Sequence, residues 1–482
     1  MESLINTVLT LLATIVLPLT ANSDCPYDVP ATRLLAGHLF TSQGCSCDNK
    51  TLDCFNLLQI PKLRKCSNTT VVDKATFQAG SIDTLPINSL PANLVSISFA
   101  QNPLTNIAED AFQTSASTLT ELSFSDAAFV RLPDAFRKLP NLTTLKIENI
   151  HIRDWNQPAL QTLGKTVLEL HLNKVGLKSW PSWLRSFTCL KTLDLSENDL
   201  GYLPDDAFTS LEASLTNLYL SLAGLTQLPN SLSTLQTLNL LDLSRNLLSA
   251  NNDRPAVERI ATMPFGTKLS TLVVNLMNLA VVPDIAHLTN LSVIDLSYNH
   301  IASLSSGHLP ATILEIRLSY NKLTEITDSN VNSYPKLTSL WLDNNPKLTI
   351  TPSAFVALAG LKYLDISSTH LDSFPQGMTA MINEQTLQMS KNPLRCSCPQ
   401  NQELFHWFAS FRGRISGNCA DGRDVTAYLR GACQTTASTT ATTTTHREAG
   451  LGDVDTASAA DCSLFCRFAC FFLLFFVYIY ID

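Results

Sequence analysis

Residues 190–200 read LKTLDLSENDL. Leu190, Leu193, Leu195, Asn198 and Leu200 fall in the pattern L-x-x-L-x-L-x-x-N-x-L. The alternation of Leu193 and Leu195 is that of a short strand with one buried face, leaving Asp194, Ser196 and Glu197 to solvent. Asn198 follows, and its amide can satisfy backbone groups in a turn that would otherwise be buried unpaired. One such segment cannot cover its own apolar side, so the pattern demands stacked copies of itself.

The copies are present. Segments begin at Leu94, Leu119, Leu142, Val167, Leu190, Leu215, Leu238, Leu269, Leu291, Ile313, Leu337 and Leu361, and a degenerate thirteenth at Glu384 keeps Leu387, Met389, Asn392 and Leu394. The first seven starts are alternately 25 and 23 residues apart. The asparagine position reads Asn102, Ala127, Ile150, Val175, Asn198, Ala223, Asn246, then recovers at Asn299, Asn321, Asn345 and Asn392, with Thr369 substituting once. The expectation is an asparagine ladder broken in the first half and offset there by apolar packing. Between strands, DAF or SAF recurs at Phe112, Phe136, Phe208 and Phe355, which predicts a phenylalanine spine in the core.

The chain has 482 residues and a net charge of −8. The length points away from one compact core, to several domains or a repeat array, and the net charge argues against a nucleic-acid binder, which would show a basic stripe. The acidity reads as spread along the chain and as serving solubility. Residues 1–23 read as a signal peptide, with an apolar run from Val8 to Leu19 and small residues at Ala21-Asn22-Ser23, although the segment before the run carries Glu2 and no cation. Secretion permits disulfides. Cys25, Cys45, Cys47 and Cys54 precede the array, within a cap over 24–70, and Cys396, Cys398, Cys419 and Cys433 follow it, within a cap over 395–434. Repeats occupy 71–394 between them. An open solenoid end exposes apolar core, so stapled caps fit these clusters better than metal, for which the spacing is poor. Cys66 and Cys189 are left over, at least one of them expected as a buried free thiol. Sequons stand at Asn49, Asn68, Asn141 and Asn290, candidates for glycosylation.

The 31 residues from Leu238 to Leu269 break the rhythm; they fit either a loop on the binding face or a convex helix over Ala256 to Ala261. Beyond Cys433, residues 435–462 form a threonine-rich stalk suited to O-glycosylation. Residues 463–482 are apolar except for Arg467 and Asp482, and fit a glycolipid-anchor signal better than a spanning helix. These features predict a surface-tethered protein, with membrane contact through its C-terminal anchor.

No catalytic or cofactor motif occurs: no G-x-S-x-G elbow, no H-E-x-x-H, no P-loop, no dinucleotide fingerprint. An enzyme is not expected, nor is a cofactor or metal. A surface remains. The residues four, six and seven after each first leucine are read as projecting from the concave sheet. Late in the array they become Asp295, Tyr298, Arg317, Tyr320, Trp341 and Asp343, joined by Tyr363 at another exposed strand position. Aromatic and arginine side chains clustered on a rigid face have the composition of a binding hot spot for a protein or glycan ligand.

The repeats, with the carboxy-terminal NPLRCSCPQN, Trp407, Cys419 and Cys433, resemble the extracellular leucine-rich repeat superfamily, including the ectodomains of Toll-type receptors, Slit proteins and the lymphocyte receptors of jawless vertebrates. The 23/25 rhythm with LPDAF is similar, more weakly, to the non-catalytic subunit of shrimp luciferin monooxygenase. The resemblance implies an α/β leucine-rich repeat solenoid, a horseshoe with about thirteen parallel strands on its concave side and disulfide caps. It implies the pairs Cys396–Cys419 and Cys398–Cys433 and, less directly, Cys25–Cys47 and Cys45–Cys54. For function it implies a recognition or adhesion receptor, with a scaffolding subunit of a secreted complex as the alternative.

Overall fold

The computed structural model describes residues 17–18, 27, 32–36, 39–63, 71–248, 253–357, 360–375, 377–380, 385–397 and 402–430. Sixteen parallel strands run from Thr51–Phe55 to Arg414–Ser416. Thirteen are those of the repeats; Thr51–Phe55 belongs to the amino cap, Lys74–Gln78 to an incomplete first coil, and Arg414–Ser416 to the carboxy cap.

The register is one coil per strand, without slippage. Leu193 lies opposite Leu170 and Leu218, and Leu340 opposite Ile316 and Leu364. A one-residue slip would carry every leucine to the solvent face, so the hydrophobic pattern alone fixes this alignment. The row of Leu193 and that of Leu195 are fully buried. In coils with aspartate at the fourth place, such as Asp194 and Asp242, the carboxylate accepts the N–H of the serine two residues on at 2.9 Å and closes the strand there.

The asparagine ladder is visible bond by bond. Asn198 Nδ2 donates to the carbonyls of Leu172, Leu195 and Ser196 at 2.8–3.1 Å, and its Oδ1 accepts from Val175 and Leu177 N–H at 3.1 Å. Asn246 repeats this toward Ala223 and Leu225. Each asparagine thus serves the coil before its own, which is how Val175 and Ala223 stand where an amide is missing. Thr369 takes part through its hydroxyl, which donates to Ile366 O at 2.7 Å, while its N–H reaches Asn392 Oδ1.

The phenylalanine column differs from the one expected. Phe77, Phe99 and Phe124, all on strands, stack with centroids 4.7 and 5.6 Å apart. Phe136 joins Phe124 at 5.8 Å and Phe112 at 6.3 Å, whereas Phe208 meets Trp180 edge-on at 5.0 Å. Rings stack where neighbouring coils both carry them; Trp180 intervenes at the next turn. The Phe355 side chain lies outside the described residues.

At the amino end, Leu39–Asp48 pairs antiparallel with Thr51–Phe55 and Cys45 is bonded to Cys54 across the hairpin. At the carboxy end, Cys396 is bonded to Cys419, and Trp407 and Phe411 cover the last coil with centroids 4.8 Å apart. Cys25, Cys66, Cys398, Cys433 and Asn68 lie outside the described residues, as do residues 435–482 and, apart from Leu17–Pro18, the leader. Cys189 is free, but exposed rather than buried, because the residue before each first leucine sits on the turn into the strand. Asn49, Asn141 and Asn290 are exposed. The long interval after Leu248 folds as a helix, Arg254–Arg259, continued by a 3-10 turn at Ile260–Thr262, with Val257 and Ile260 buried. Asp253 anchors it by accepting Asn278 N–H at 3.0 Å. Among the described residues, no helix is long and apolar enough to cross a membrane.

Candidate ligand-binding surface

The strands Val293–Asp295, Glu315–Arg317, Ser339–Trp341 and Tyr363–Asp365 are consecutive in the sheet. Their register sets Asp295, Arg317, Trp341 and Asp365 side by side, opposite in facing to the buried Ile294, Ile316, Leu340 and Leu364. Three side chains expected at the site, Asp295, Arg317 and Trp341, therefore meet here, joined by Asp365. The Arg317 guanidinium lies 5.0 Å from the Trp341 ring centroid and is held by the Glu315 carboxylate at 2.6 Å. Trp341 and Tyr363 have centroids 4.8 Å apart. Tyr363 donates its hydroxyl to Asp365 Oδ2 at 3.2 Å, and burial, then the Asp365 charge, pushes its phenol up to about 12.

Tyr298 and Tyr320 sit beside this row but not on the strands. Each occupies a left-handed turn past the strand end, φ 57° and 54°. The same turn recurs at this place in every repeat, from Gln101 to Lys391, and it is non-glycine each time. It carries the seventh residue out of the sheet plane to its edge, which corrects the expectation that this position lines the strands. The two rings stack there with centroids 4.2 Å apart and planes within 8°, both about half exposed. Asp343 accepts from Ser319 Oγ and, at 2.7 Å, from Asn344 Nδ2.

Asp295 does a second task. Its Oδ1 closes the strand by accepting Ser297 N–H at 2.9 Å, as Asp365 does with Ser367. Part of what reads as ligand chemistry is turn chemistry. Glu315 and Asp365 were missed by sequence reasoning. Their rows were legible, but the choice followed the aromatic and arginine side chains and took only Asp295 and Asp343 of the acids beside them.

The acidity is not evenly spread. From the strand of Asp194 to that of Asp365, the outward positions of the sheet carry Asp194, Asp242, Asp295, Glu315, Asp343 and Asp365 against one cation, Arg317. Burial, then the charges of Asp194 and Asp295, holds the Asp242 carboxyl above the usual range. At Asp194 burial also opposes ionisation, but hydrogen bonds from His171 and Ser196 outweigh it and the carboxyl lies low. His171 Nδ1 is 3.5 Å from Asp194 Oδ2, so this histidine has a partner on the next strand.

On the flank a groove of about 580 Å³ opens over Gly176 and Gly224, lined by His151, Lys174 and Glu197 among others. A Cβ at Gly176 would fall 2.2 Å from His151 Nδ1. Lys178 and Asp199 at its rim already pair at 3.3 Å. Among the described residues, no group of three histidine, cysteine or acidic side chains is arranged for a metal ion.

Family models described as leucine rich repeat match residues 311–371, 335–394 and 189–211. Lumican of Gallus gallus is 35% identical over 92 residues, 19% of this chain and 26% of lumican. Tsukushi of Mus musculus is 38% identical over 107 residues, 21% of this chain and 29% of its own length. Leucine-rich repeat-containing G-protein coupled receptor 5 of Xenopus tropicalis is 38% identical over 88 residues, 18% of this chain and 10% of the receptor. The chain thus spans less than a third of these relatives. Among solved structures, the Drosophila Toll–Spatzle complex aligns with a TM-score of 0.58 at 18% identity, covering 84% of this chain and 54% of that one. The mouse RP105/MD-1 complex aligns with a TM-score of 0.52 at 17% identity, covering 76% and 75%. With repeat models matching on both halves of a solenoid whose ends hold disulfides, the chain is a leucine-rich repeat solenoid, similar over part of its length to these leucine-rich repeat proteins.

Proposed function

We propose that this protein is a recognition receptor of the cell surface, that its ligand is a protein, and that the ligand docks on the late concave strands around Trp341. One observation carries the reading. A tryptophan, a tyrosine and an arginine stand together on adjacent strands of a rigid sheet, only partly buried, with a stacked tyrosine pair at their edge. Solvent-facing strand positions need no such side chains for folding, since the leucines beneath them supply the core. Two of the solved neighbours carry protein partners in their names, Spatzle and MD-1, which favours a protein ligand over a glycan. The tether is assigned to residues 463–482 on their apolar composition.

The test has two arms. Release of the protein from intact cells by a phosphatidylinositol-specific phospholipase is expected for the tether; spontaneous accumulation in the medium contradicts it and favours a secreted scaffolding subunit. A screen with the purified ectodomain is expected to return a protein partner that competes with an antibody raised against the late strands. A partner indifferent to that antibody would remove the docking site from this face.

A further inference from the structure

We propose that the late concave surface takes a cationic segment of its protein partner, an arginine or lysine laid across Trp341 and Tyr363 and paired with Glu315, Asp343 and Asp365. The inference rests on the reading that this face is the docking surface, and adds the chemistry of what docks.

Charge decides the sign of the partner. The outward rows from Asp194 to Asp365 hold six carboxylates and a single cation, and that cation is already neutralised by Glu315. A sulfated or carboxylated ligand would meet a carboxylate at each of the four late strands, only that of Glu315 screened by Arg317, whereas a basic one gains there. Burial and its acidic neighbours already raise Asp242, as a face short of cations would do.

Geometry decides where the cation goes. Arg317 shows what the aromatic pocket accepts, since its guanidinium stands over Trp341 and grips a carboxylate in the arrangement that stabilises a cation on a π face. Tyr363 continues that face on the next strand, with Asp365 at its hydroxyl and Asp343 two residues past Trp341, just beyond the strand end. These carboxylates accept one or two bonds each from the protein, fewer than their oxygens can take. Arg317 is then a resident competitor and not a ligand-gripping side chain. A partner's arginine would displace it or lie beside it.

That reversal makes the test sharp. The full chain is titrated at physiological salt with a fluorescein-labelled nona-arginine peptide and, separately, with a heparin decasaccharide. Saturable binding of the arginine peptide is expected. Trp341→Ala should weaken it about tenfold, and the shape-conserving pair Asp343→Asn/Asp365→Asn about as much. Arg317→Ala should strengthen it about threefold or more, because it removes the competing cation and frees Glu315. Glu121→Gln, an acidic change on the early strands, should move affinity less than twofold. Far-UV circular dichroism checks each fold, and the asparagine pair carries the test if Trp341→Ala does not fold. No saturable binding of the arginine peptide overturns the proposal. So does equal weakening by Glu121→Gln, which would mean diffuse attraction. If Arg317→Ala and Trp341→Ala both weaken binding and heparin binds instead, the cationic chemistry is wrong while the docking surface stands. If no late variant changes the affinity of the native partner, the docking surface fails with it.

Discussion

Asn198 makes five hydrogen bonds inside the core, and none of its partners has water to fall back on. Asn198→Ala should therefore destabilise the protein by about 2–3 kcal/mol, since buried N–H groups and carbonyls are left unpaired; a denaturant titration that moves by less than 0.5 kcal/mol would show the coil supports itself. Asp242 predicts the opposite sign. Its folded pKa is raised, so the ionised carboxylate costs stability above that pKa, and the cost vanishes below the unfolded value. Asp242→Asn keeps an oxygen for Ser244 N–H, and should raise Tm at neutral pH and lose that advantage in acid. A Tm gain equal at both pH values would contradict the charge argument. At this scale the ladder was legible, because only an amide both donates and accepts in one plane. The double role of Asp295 was not, since the same letter serves a turn and a ligand.

The element that repeats most faithfully is one the sequence hides. Every coil places its seventh residue in the left-handed region, yet the residues there include Leu222, Leu276, Tyr298 and Tyr320. A left-handed leucine costs on the order of 1 kcal/mol, so Leu276→Gly, at an exposed position, should stabilise by about 0.5–1 kcal/mol once the added freedom of the unfolded chain is allowed for. Thermal melts showing a loss instead would mean that Leu276 packs more than its exposure suggests. Strands were legible from leucine spacing because burial on one face leaves a period of two. The turn was not, because stacked neighbours on both sides enforce it, whatever the residue. The same holds for the interval after Leu248, whose spacing announced extra chain and left helix and loop open; buried Val257 and Ile260 decide for the helix.

For the whole molecule, the ends are the weak points. Coils in the middle have whole coils on both sides, whereas the last is covered by the small carboxy cap, with its strand Arg414–Ser416, Trp407, Phe411 and the Cys396–Cys419 bond. Breaking that bond opens a loop of 23 residues and should cost about 3 kcal/mol in chain entropy. Paired Cys396→Ser and Cys419→Ser changes should speed hydrogen exchange in the last coils first; uniform exchange along the array would contradict end-wise weakening. Array, caps and fold were all legible, because thirteen spaced copies leave one way to bury their leucines. The charge of the concave face was not, since acids scattered along the chain gather only when the coils stack. The central claim is that the face around Trp341 binds the partner. Its most direct measurement is the affinity of the ectodomain's partner for Trp341→Ala beside Ser125→Ala, with circular dichroism as the folding control. The account predicts a loss of about 2 kcal/mol or more at Trp341 and none at Ser125, both proteins folded; equal affinities for Trp341→Ala and the parent would contradict it.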